Sequence, residues 1–418
     1  MEETAYWEEK YRAIFQPALP DTLTGFNTNL DQVIIVDRDL LDSPVMNSPV
    51  SAELKKRLLN SMKYCRADEW FVTDLRVYTG IIDTFNLLGT LRIGGQAGIS
   101  ATHLARLGVR KVVCASPGVG PMTRKILKEF PAIELPFTDK WKETCDTVHL
   151  VFEYPPGLVP VAEGVVPRSN RFIVSPVHQS SSVLLPDASF RLLNQTILTC
   201  RRAFLSGYQY LTSREEFVAA SRQMEMIKNA RENRKIHVEC VTVPDPVTIN
   251  GFLHYILPFA DSAGMNENEL DLVLRLCDKT RVNREARSSL RPEEVVEGAI
   301  QVCRTTGLSR LHVHTFGYYV VILTGDKTNP EKSLPSLLYS SKIVAESASG
   351  DSCQLSRRGL DALKRIARIY RPGTCPGVFW SPDFHILVIP TIIAENVRKT
   401  SGFGDIISST AFVTDPNV

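Results

Sequence analysis

The chain has 418 residues, of which 44% are hydrophobic and 22% charged, as in ordinary globular proteins. Its 48 Lys and Arg residues nearly balance 46 Asp and Glu residues, so the net charge of +2 gives no reason to expect nucleic acid or a membrane surface as a partner. No apolar run approaches the ~20 residues that span a bilayer, and the acidic start is unlike a signal peptide. Nine scattered cysteines without a C-x-x-C pair indicate reduced thiols of a cytoplasmic protein and disfavour zinc.

The first 130 residues are predicted to alternate between strands and helices. A chain of this length is expected to form one large domain with a second unit, or two domains. The predicted strands lie at 33–36, 70–72, 91–93 and 111–115, and the predicted helices at 51–62, 79–88, 94–107 and 121–130.

The residue pattern changes between 132 and 177, where prolines are frequent. Three short β-type runs there predict an antiparallel sheet (147–154, 158–161 and 171–175). Alternation then returns, which predicts a doubly wound α/β sheet with ligands at the carboxyl ends of its strands. The later predicted strands are 203–206, 236–241, 261–265, 310–315, 318–323 and 384–390. The later predicted helices are 190–200, 214–231, 250–260, 266–276, 292–306 and 356–370.

The most informative motif is Gly402-Phe403-Gly404-Asp405, which precedes a predicted helix at 406–412. Glycines allow a ligand to approach the backbone closely. A helix N-terminus offers unpaired N–H groups and a partial positive charge that suit a phosphate. An aspartate would repel a phosphate there unless it takes part in the chemistry, so Asp405 is predicted to be a base beside a phosphate-binding turn.

Four further polar clusters follow predicted strands, and each has a structural explanation of its own. They are Asn27-Thr28-Asn29-Leu30-Asp31, Gly94-Gly95-Gln96, His237-Val238-Glu239 and Asn266-Glu267-Asn268-Glu269. The first is typical of a turn, the second lacks the full dinucleotide fingerprint, and the last is typical of a helix capping box. His237 is equally typical of a buried core histidine, and His312 and His314 are expected to be mostly structural because a metal site needs more ligands.

The combination of these clusters is more specific than any one of them. The chain has no Walker A loop, which excludes a P-loop kinase. It does contain a glycine-rich helix start, a base, and carboxylates suited to hold Mg²⁺ or another divalent cation through water. These are the parts that phosphoryl transfer requires.

These motifs, together with Leu205-Ser206-Gly207-Tyr208-Gln209 and His312-Val313-His314-Thr315, resemble in order the ADP-dependent sugar kinases. This family comprises archaeal glucokinases and phosphofructokinases with an animal glucokinase relative. The resemblance implies a ribokinase-like α/β fold with a large domain (1–33, 90–133 and 178–418) and a smaller α/β lid (34–89 and 134–177). It also implies ADP as donor, Mg²⁺ as cofactor, AMP as product and domain closure over the sugar.

The resemblance assigns roles to individual residues. Asp405 is implied to be the base, and Gly402 and Gly404 to form the anion hole. The remaining roles follow the family's motifs: Glu239 and Glu269 for the metal, Asn29, Asp31, Gly95 and Gln96 for the sugar, and His314, Tyr318 and Val397 for the nucleotide. We expect a monomer or a small homo-oligomer that binds a sugar and ADP.

The choice of sugar depends on positions far from this turn. Glu69 falls where the glucokinases carry a glutamate that binds a glucose hydroxyl, and near a sugar phosphate it would be repulsive. Phosphofructokinases carry a Lys and an Arg at positions that match Pro156 and Val177, so their phosphate clamp is absent unless Arg168, Arg171 or His178 replaces it.

The residues of several other motifs are more similar to those of the phosphofructokinases. We therefore predict a glucokinase, with a phosphofructokinase or a bifunctional enzyme as the alternative. A non-catalytic sugar or nucleotide sensor on the same fold is a further possibility from another class.

Overall fold

The computed structural model of the protein describes residues 2–117, 119–137, 145–159, 164–176, 183–241, 245–277, 290–325, 328–349, 353–394 and 402–418. Three residues named above, Val177, His178 and Val397, lie outside these ranges. Within the described residues, no helix combines the length and the apolarity needed to cross a membrane.

The described strands form a large sheet, a small sheet and a separate pair. In chain order they are β1 (Thr22–Gly25), β2 (Asn29–Ile35), β3 (Asp68–Val72), β4 (Thr90–Gly94), β5 (Val112–Cys114), β6 (Ile133–Glu134), β7 (Val148–Tyr154), β8 (Asn170–Pro176), β9 (Arg202–Leu205), β10 (Lys235–Glu239), β11 (Ser262–Asn266), β12 (Arg310–His314), β13 (Tyr318–Thr324), β14 (Cys353–Leu355), β15 (Arg371–Pro372), β16 (Val378–Ser381), β17 (Phe384–Pro390) and β18 (Ile392–Ala394).

The helices lie between these strands. They are α1 (Glu2–Ala13), α2 (Arg38–Asp42), α3 (Ala52–Tyr64), α4 (Leu75–Phe85), α5 (Gln96–Leu107), α6 (Pro121–Leu127), α7 (Asp187–Thr196), α8 (Arg214–Asn229), α9 (Pro246–Gly251), α10 (Glu267–Cys277), α11 (Pro292–Thr306), α12 (Pro330–Ser349), α13 (Arg357–Ile366) and α14 (Phe403–Val413). The predicted helix at 292–306 is confirmed to the residue, whereas the predicted helix at 250–260 is split into the end of α9, a π-helical turn and a 3₁₀ turn.

The large sheet has eleven strands in the order β15-β16-β17-β13-β12-β11-β10-β9-β1-β5-β6. Its strands run parallel from β12 to β6 and antiparallel from β12 to β15. The predicted α/β fold class, a large sheet with a smaller α/β unit, is confirmed. Because the parallel strands share one direction, their carboxyl ends bring the ends of β1, β9, β10, β11 and β12 to one edge.

The small sheet has five strands in the order β3-β8-β7-β2-β4. The expected antiparallel pair is present as β7 and β8, but β7 is parallel to β2 and β8 is parallel to β3, so the sheet is mixed. No strand is described at 158–159, within the third expected run, and 160–161 lie outside the described residues.

The two faces of the small sheet differ in polarity because successive side chains along a strand point to opposite faces. One face packs against α3 and α4 and carries Leu150, Phe152 and Val174 in a core of its own. The other face carries the intervening residues, and we call it the polar face. Its charged and polar members include Asn29, Asp31, Glu69, Arg92, His149, Glu153, Arg171 and Ser175.

The expected domain boundaries stay a prediction. The strands of the small sheet include β4 and the whole of β2. Residues 90–94 and 29–33 therefore pair within the small sheet, although the predicted boundaries assign them to the large domain.

Candidate active site

The glycine-rich turn lies at the N-terminus of α14. Gly402 is the N-cap residue with a φ of 79°, a left-handed conformation that favours glycine. The helix begins at Phe403, so Asp405 lies in its first turn rather than before it as predicted. A Cβ on Gly404 would lie 3.1 Å from His314 Nε2. The first-turn N–H groups have no partners within the helix, which suits an anion.

Asp405 lies close to charges from both sheets. It is near enough to raise the pKa of Glu239 on β10 and to favour the charged form of Arg171 on β8. Asp405 is half-buried, while the helix behind it is buried from Ile406 to Val413. The polar face of the small sheet therefore lies opposite the N-terminus of α14.

Glu239 is held in a fully packed environment. His237 Nε2 lies 3.3 Å from Glu239 Oε2, and His237 Nδ1 lies 2.8 Å from Ser262 Oγ. The imidazole ring stacks on Phe204 with ring centroids 5.2 Å apart. Burial, followed by the charge of Arg310, holds the pKa of His237 well below 6.5, so the ring is neutral and orients Glu239.

Gly264 on β11 leaves the space that Glu239 occupies. A Cβ there would lie 2.1 Å from Glu239 Oε2 and 2.9 Å from His237 Nε2. Burial raises the pKa of Glu239 well above 4.5, and the charges of Asp405 and Glu269 raise it further. Three carboxyl groups thus lie near one another, which favours a cation between them.

Glu269 forms the capping box that its spacing predicts. Asn266 N donates to Glu269 Oε2 at 2.7 Å, and Glu269 N donates to Asn266 Oδ1 at 3.0 Å. One carboxylate oxygen of Glu269 is thus bound by the backbone of the capping box. Within the described ranges, no group of three or more His, Cys, Asp or Glu side chains forms a ready metal site. The residues nevertheless fit Mg²⁺, which keeps several waters and takes only one or two carboxylates.

The predicted sugar turn and the glycine pair are in contact. Asn29 Nδ2 donates to Asp31 Oδ1 at 2.8 Å, and both residues are buried. A Cβ on Gly94 would lie 2.0 Å from Asp31 Oδ1, so only glycine fits at that position. Gln96 is the first residue of α5, and its buried Oε1 has no hydrogen-bond partner among the described residues. The structure thus brings Asn29, Asp31 and the Gly95–Gln96 pair together.

Glu69 extends this cluster from β3. Its Oε1 accepts a hydrogen bond from Ser175 Oγ at 2.5 Å. Although the side chain is exposed, the protein around it displaces enough solvent to raise the pKa of Glu69, while Ser175 and Arg171 act to lower it and Asp31 to raise it. Glu69 therefore lies within electrostatic range of both Asp31 and Arg171.

The residues expected near the nucleotide lie on β12 and β13. His314 contacts the glycine-rich turn through Gly404, and burial lowers the pKa of His314 to about 4. Tyr318 is fully buried, with the Arg358 guanidinium 5.9 Å from its ring centroid. His312 is fully buried in the core, as expected for a structural residue.

The absence of a phosphate clamp at Pro156 and Val177 stays a prediction. In the antiparallel pair, Tyr154 lies opposite Asn170 and Leu150 opposite Val174. Pro156 therefore follows the end of β7 at which β8 begins, and position 177 lies outside the described residues.

Among the suggested replacements for the clamp, Arg171 alone is shown near the site. Arg168 is exposed beside the start of β8, and its carbonyl lies 3.5 Å from Cys65 Sγ. Position 178 is outside the described residues. Arg171 lies on the polar face, with its pKa lowered by burial and raised by the charges of Asp405, Glu153, Glu69 and Asp31.

Several residues of the site were missed by the sequence argument. Arg92 donates to Glu153 Oε1 at 3.1 Å across the polar face. Asn27 accepts from Ala97 N at 3.1 Å through its carbonyl, which joins the sugar turn to α5. A signal was available for Arg92 and Glu153, because both alternate with apolar residues along predicted strands.

The large sheet, the turn before α14 and the polar face opposite it define the class of protein: an α/β kinase with a ribokinase-like fold. The conserved region of the ADP-specific phosphofructokinase/glucokinase family matches residues 21–414, and the chain belongs to this family. It is therefore a phosphotransferase, an ADP-dependent sugar kinase.

Relatives from both branches of the family match nearly the whole chain. The chain is 25% identical to the ADP-dependent glucose/glucosamine kinase of Pyrococcus furiosus over 97% of this chain and 98% of that protein. It is also 25% identical to the ADP-specific phosphofructokinase of Methanosarcina acetivorans over 97% of this chain and 96% of that protein.

Two solved structures share the fold. One is an ADP-dependent kinase in complex with fructose 6-phosphate and ADPβS, with a TM-score of 0.83, 23% identity and coverage of 99% of this chain and 97% of that one. The other is a phosphofructokinase from Pyrococcus horikoshii OT3 with AMP, with a TM-score of 0.74, 21% identity and coverage of 96% and 98%.

Proposed function

We propose that this enzyme transfers the β-phosphoryl group of ADP to a hydroxyl of an unphosphorylated hexose, with glucose as the preferred acceptor. The products are the sugar phosphate and AMP. The observation that carries the choice of acceptor is Glu69, whose carboxyl group lies on the polar face within electrostatic range of Asp31. A pair of acids suits a neutral sugar rich in O–H donors and disfavours a second phosphate.

Asp405 is the proposed base. It takes the proton from the acceptor hydroxyl, and the hydroxyl oxygen then attacks the β-phosphorus of ADP. The N–H groups that follow Gly402 bind the phosphoryl oxygens at the positive end of α14. Charge neutralisation and positioning supply most of the catalysis in phosphoryl transfer.

Arg171 is the proposed cation opposite the helix terminus. Its guanidinium interacts electrostatically with Asp405, so a phosphoryl group between the two would meet a positive charge on the side away from α14. Glu239 and Glu269 would hold Mg²⁺ through its waters, and the ion would supply further neutralisation of phosphate charge. His237 keeps the Glu239 carboxyl group oriented.

The small sheet is the proposed lid over the sugar. Asp31, Glu69 and Arg171 all lie on its polar face, whereas Asp405 lies on the large unit. A lid that opens would separate sugar-binding groups from the base, and one that closes would exclude the water that hydrolyses ADP. The support for this proposal is that the functional groups divide between two sheets, each with a core of its own.

A phosphofructokinase is the second candidate, and Arg171 favours it. The acceptor of a phosphofructokinase already carries a phosphate, which a cation in the site would bind. Arg171 on the polar face could bind such a phosphate directly.

An assay with ADP–Mg²⁺ and a panel containing glucose, glucosamine and fructose 6-phosphate tests the proposal. AMP and sugar phosphate should form fastest with glucose. Turnover of fructose 6-phosphate alone would establish the second candidate, and binding without turnover would indicate a sensor.

A further inference from the structure

The turn after β9 lies against the sugar-binding turn and has no role in the function proposed above. Ser206 Oγ donates to Asn27 Oδ1 at 2.6 Å, and Phe26 N donates to Ser206 O at 3.0 Å. A Cβ on Gly207 would lie 3.1 Å from Asn27 Cβ. The 206–210 turn is therefore packed directly on the residues that lead into Asn29 and Asp31.

Tyr208 anchors this turn, and the next two side chains are only partly buried. Its ring is fully buried, with centroids 6.2 Å from Phe26 and 6.3 Å from Phe252. Gln209 and Tyr210, in contrast, are half-buried. A turn fixed by a buried aromatic residue holds its remaining side chains in place without ligand.

Tyr210 faces the small sheet. Burial raises the pKa of its phenol, and the negative charges of Glu69 and Asp31 raise it further, while the amides of Asn27 and Gln209 act to lower it. Its hydroxyl group thus lies between the sugar-binding acids and the amide of Gln209. The turn belongs to the large sheet and yet borders the polar face.

The amide oxygen of Gln209 is buried and has no hydrogen-bond partner among the described residues, as is also true of Gln96 Oε1. Buried acceptors in native proteins are nearly always bonded. Both residues neighbour contacts to Asn27: Gln209 lies in the turn whose Ser206 Oγ donates to Asn27 Oδ1, and Gln96 precedes Ala97, whose N–H donates to the Asn27 carbonyl oxygen. A ligand that fits here must bring hydrogen-bond donors, and a sugar brings several hydroxyl groups.

We propose that Gln209 accepts a hydrogen bond from a hydroxyl of the bound sugar, so that the 206–210 turn forms the large-sheet wall of the sugar site. This inference rests on the proposed function, because it takes the ligand to be a sugar. Tyr210 acts as a positioning residue that holds the Gln209 amide beside Glu69. The sugar is then bound by Asp31 and Glu69 on the small sheet and by Gln96 and Gln209 on the large unit.

The test compares Gln209→Leu with Gln209→Glu. Leucine removes the acceptor, whereas glutamate keeps it, so leucine should raise the KM for the sugar by roughly tenfold or more and glutamate by much less. The KM for ADP should stay within about twofold in both, because the turn packs on the residues that lead into Asn29 and Asp31. Gln195→Leu, an exposed position on α7, is the matched control.

Sugar-dependent thermal stabilisation provides a readout that needs no turnover. The shift in Tm with glucose should shrink in Gln209→Leu and persist in Gln195→Leu. Equal sugar KM values for the wild type and Gln209→Leu would overturn the inference and leave the proposed function intact. Tyr210→Phe should weaken sugar binding in the same direction, and parallel rises in both KM values would indicate a general structural role and overturn the inference too. A wild type that neither binds nor phosphorylates any sugar of the panel would overturn both.

Discussion

The glycine-rich turn and the polar face of the small sheet contribute to one site but are built in opposite ways. The turn is contiguous: Gly402, Gly404 and Asp405 lie within four residues, at the start of a helix that is buried behind them. The polar face takes its side chains from five strands, and strand register decides which of them meet. We infer that the chemistry is fixed locally, whereas the acceptor is chosen by tertiary structure.

This difference explains why the turn would carry the chemistry while the polar face would select the acceptor. A contiguous turn keeps its geometry when the sheets move relative to each other. A face on a separate sheet can approach the turn or leave it, and Arg171 and Glu69 would move with it. Substitutions in the turn should therefore act on kcat, whereas substitutions on the polar face should act on KM, on kcat or on both according to what each side chain contacts.

The largest effect is expected for the base. Asp405→Asn should lower kcat by about 10³-fold, within the range for loss of a general base, because asparagine cannot accept the hydroxyl proton. The affinity for ADP and sugar should change little, since the side chain keeps its shape. Steady-state kinetics together with calorimetric binding would check both parts, and a variant that retained more than a tenth of its activity would remove Asp405 from the base role.

Arg171→Gln should have the next largest effect. We expect kcat to fall by about 10²-fold, as when a charge that stabilises the transition state is removed. If Arg171 instead binds a phosphorylated acceptor, the KM for fructose 6-phosphate should rise and kcat should change less. Arg168→Gln is the matched control, since Arg168 is exposed at the other end of the sheet from the sugar turn, and it should behave as wild type.

The contrast between turn and face also explains what the sequence could predict. Helix 292–306, the Gly402–Asp405 motif and the large-sheet strands β5, β9 to β13 and β17 depend on short-range patterns, and the structure contains all of them. The large-sheet strands β1, β6, β15 and β16 were not predicted. The Glu269 capping box is likewise local, because its two partners are three residues apart.

The errors come from features that local patterns do not encode. α12 went unpredicted because its twenty residues include six serines and Pro335, which are poor helix formers, so packing rather than propensity decides its conformation. The roles of Arg92, Glu153 and Tyr210 were missed because each interacts with residues that are distant in sequence.

The smallest effect, and the one that best separates the acceptors, is expected for Glu69→Gln. Loss of a charge-assisted hydrogen bond should raise the KM for glucose by roughly tenfold and leave kcat nearly unchanged. Fructose 6-phosphate should gain relative to glucose, because the repulsion of its phosphate is removed. An unchanged ratio of the two kcat/KM values would show that Glu69 does not choose the acceptor.

Glu69→Gln should make the unliganded protein more stable at high pH, although it weakens glucose binding. The folded-state pKa of Glu69 is raised above its ordinary 4.5, so the folded protein binds this proton more tightly than the unfolded chain. Between the two pKa values stability falls as the pH rises, and above them the wild type carries the full cost of holding this carboxylate in a partly desolvated site. Glu69→Gln without ligand should therefore have a higher Tm than wild type at pH 8, and the difference should shrink as the pH falls toward 4.5. Glu297→Gln, at an exposed position of α11, should show no such pH-dependent gain, and a Glu69→Gln protein less stable than wild type at pH 8 would mean that its carboxyl group stabilises the fold.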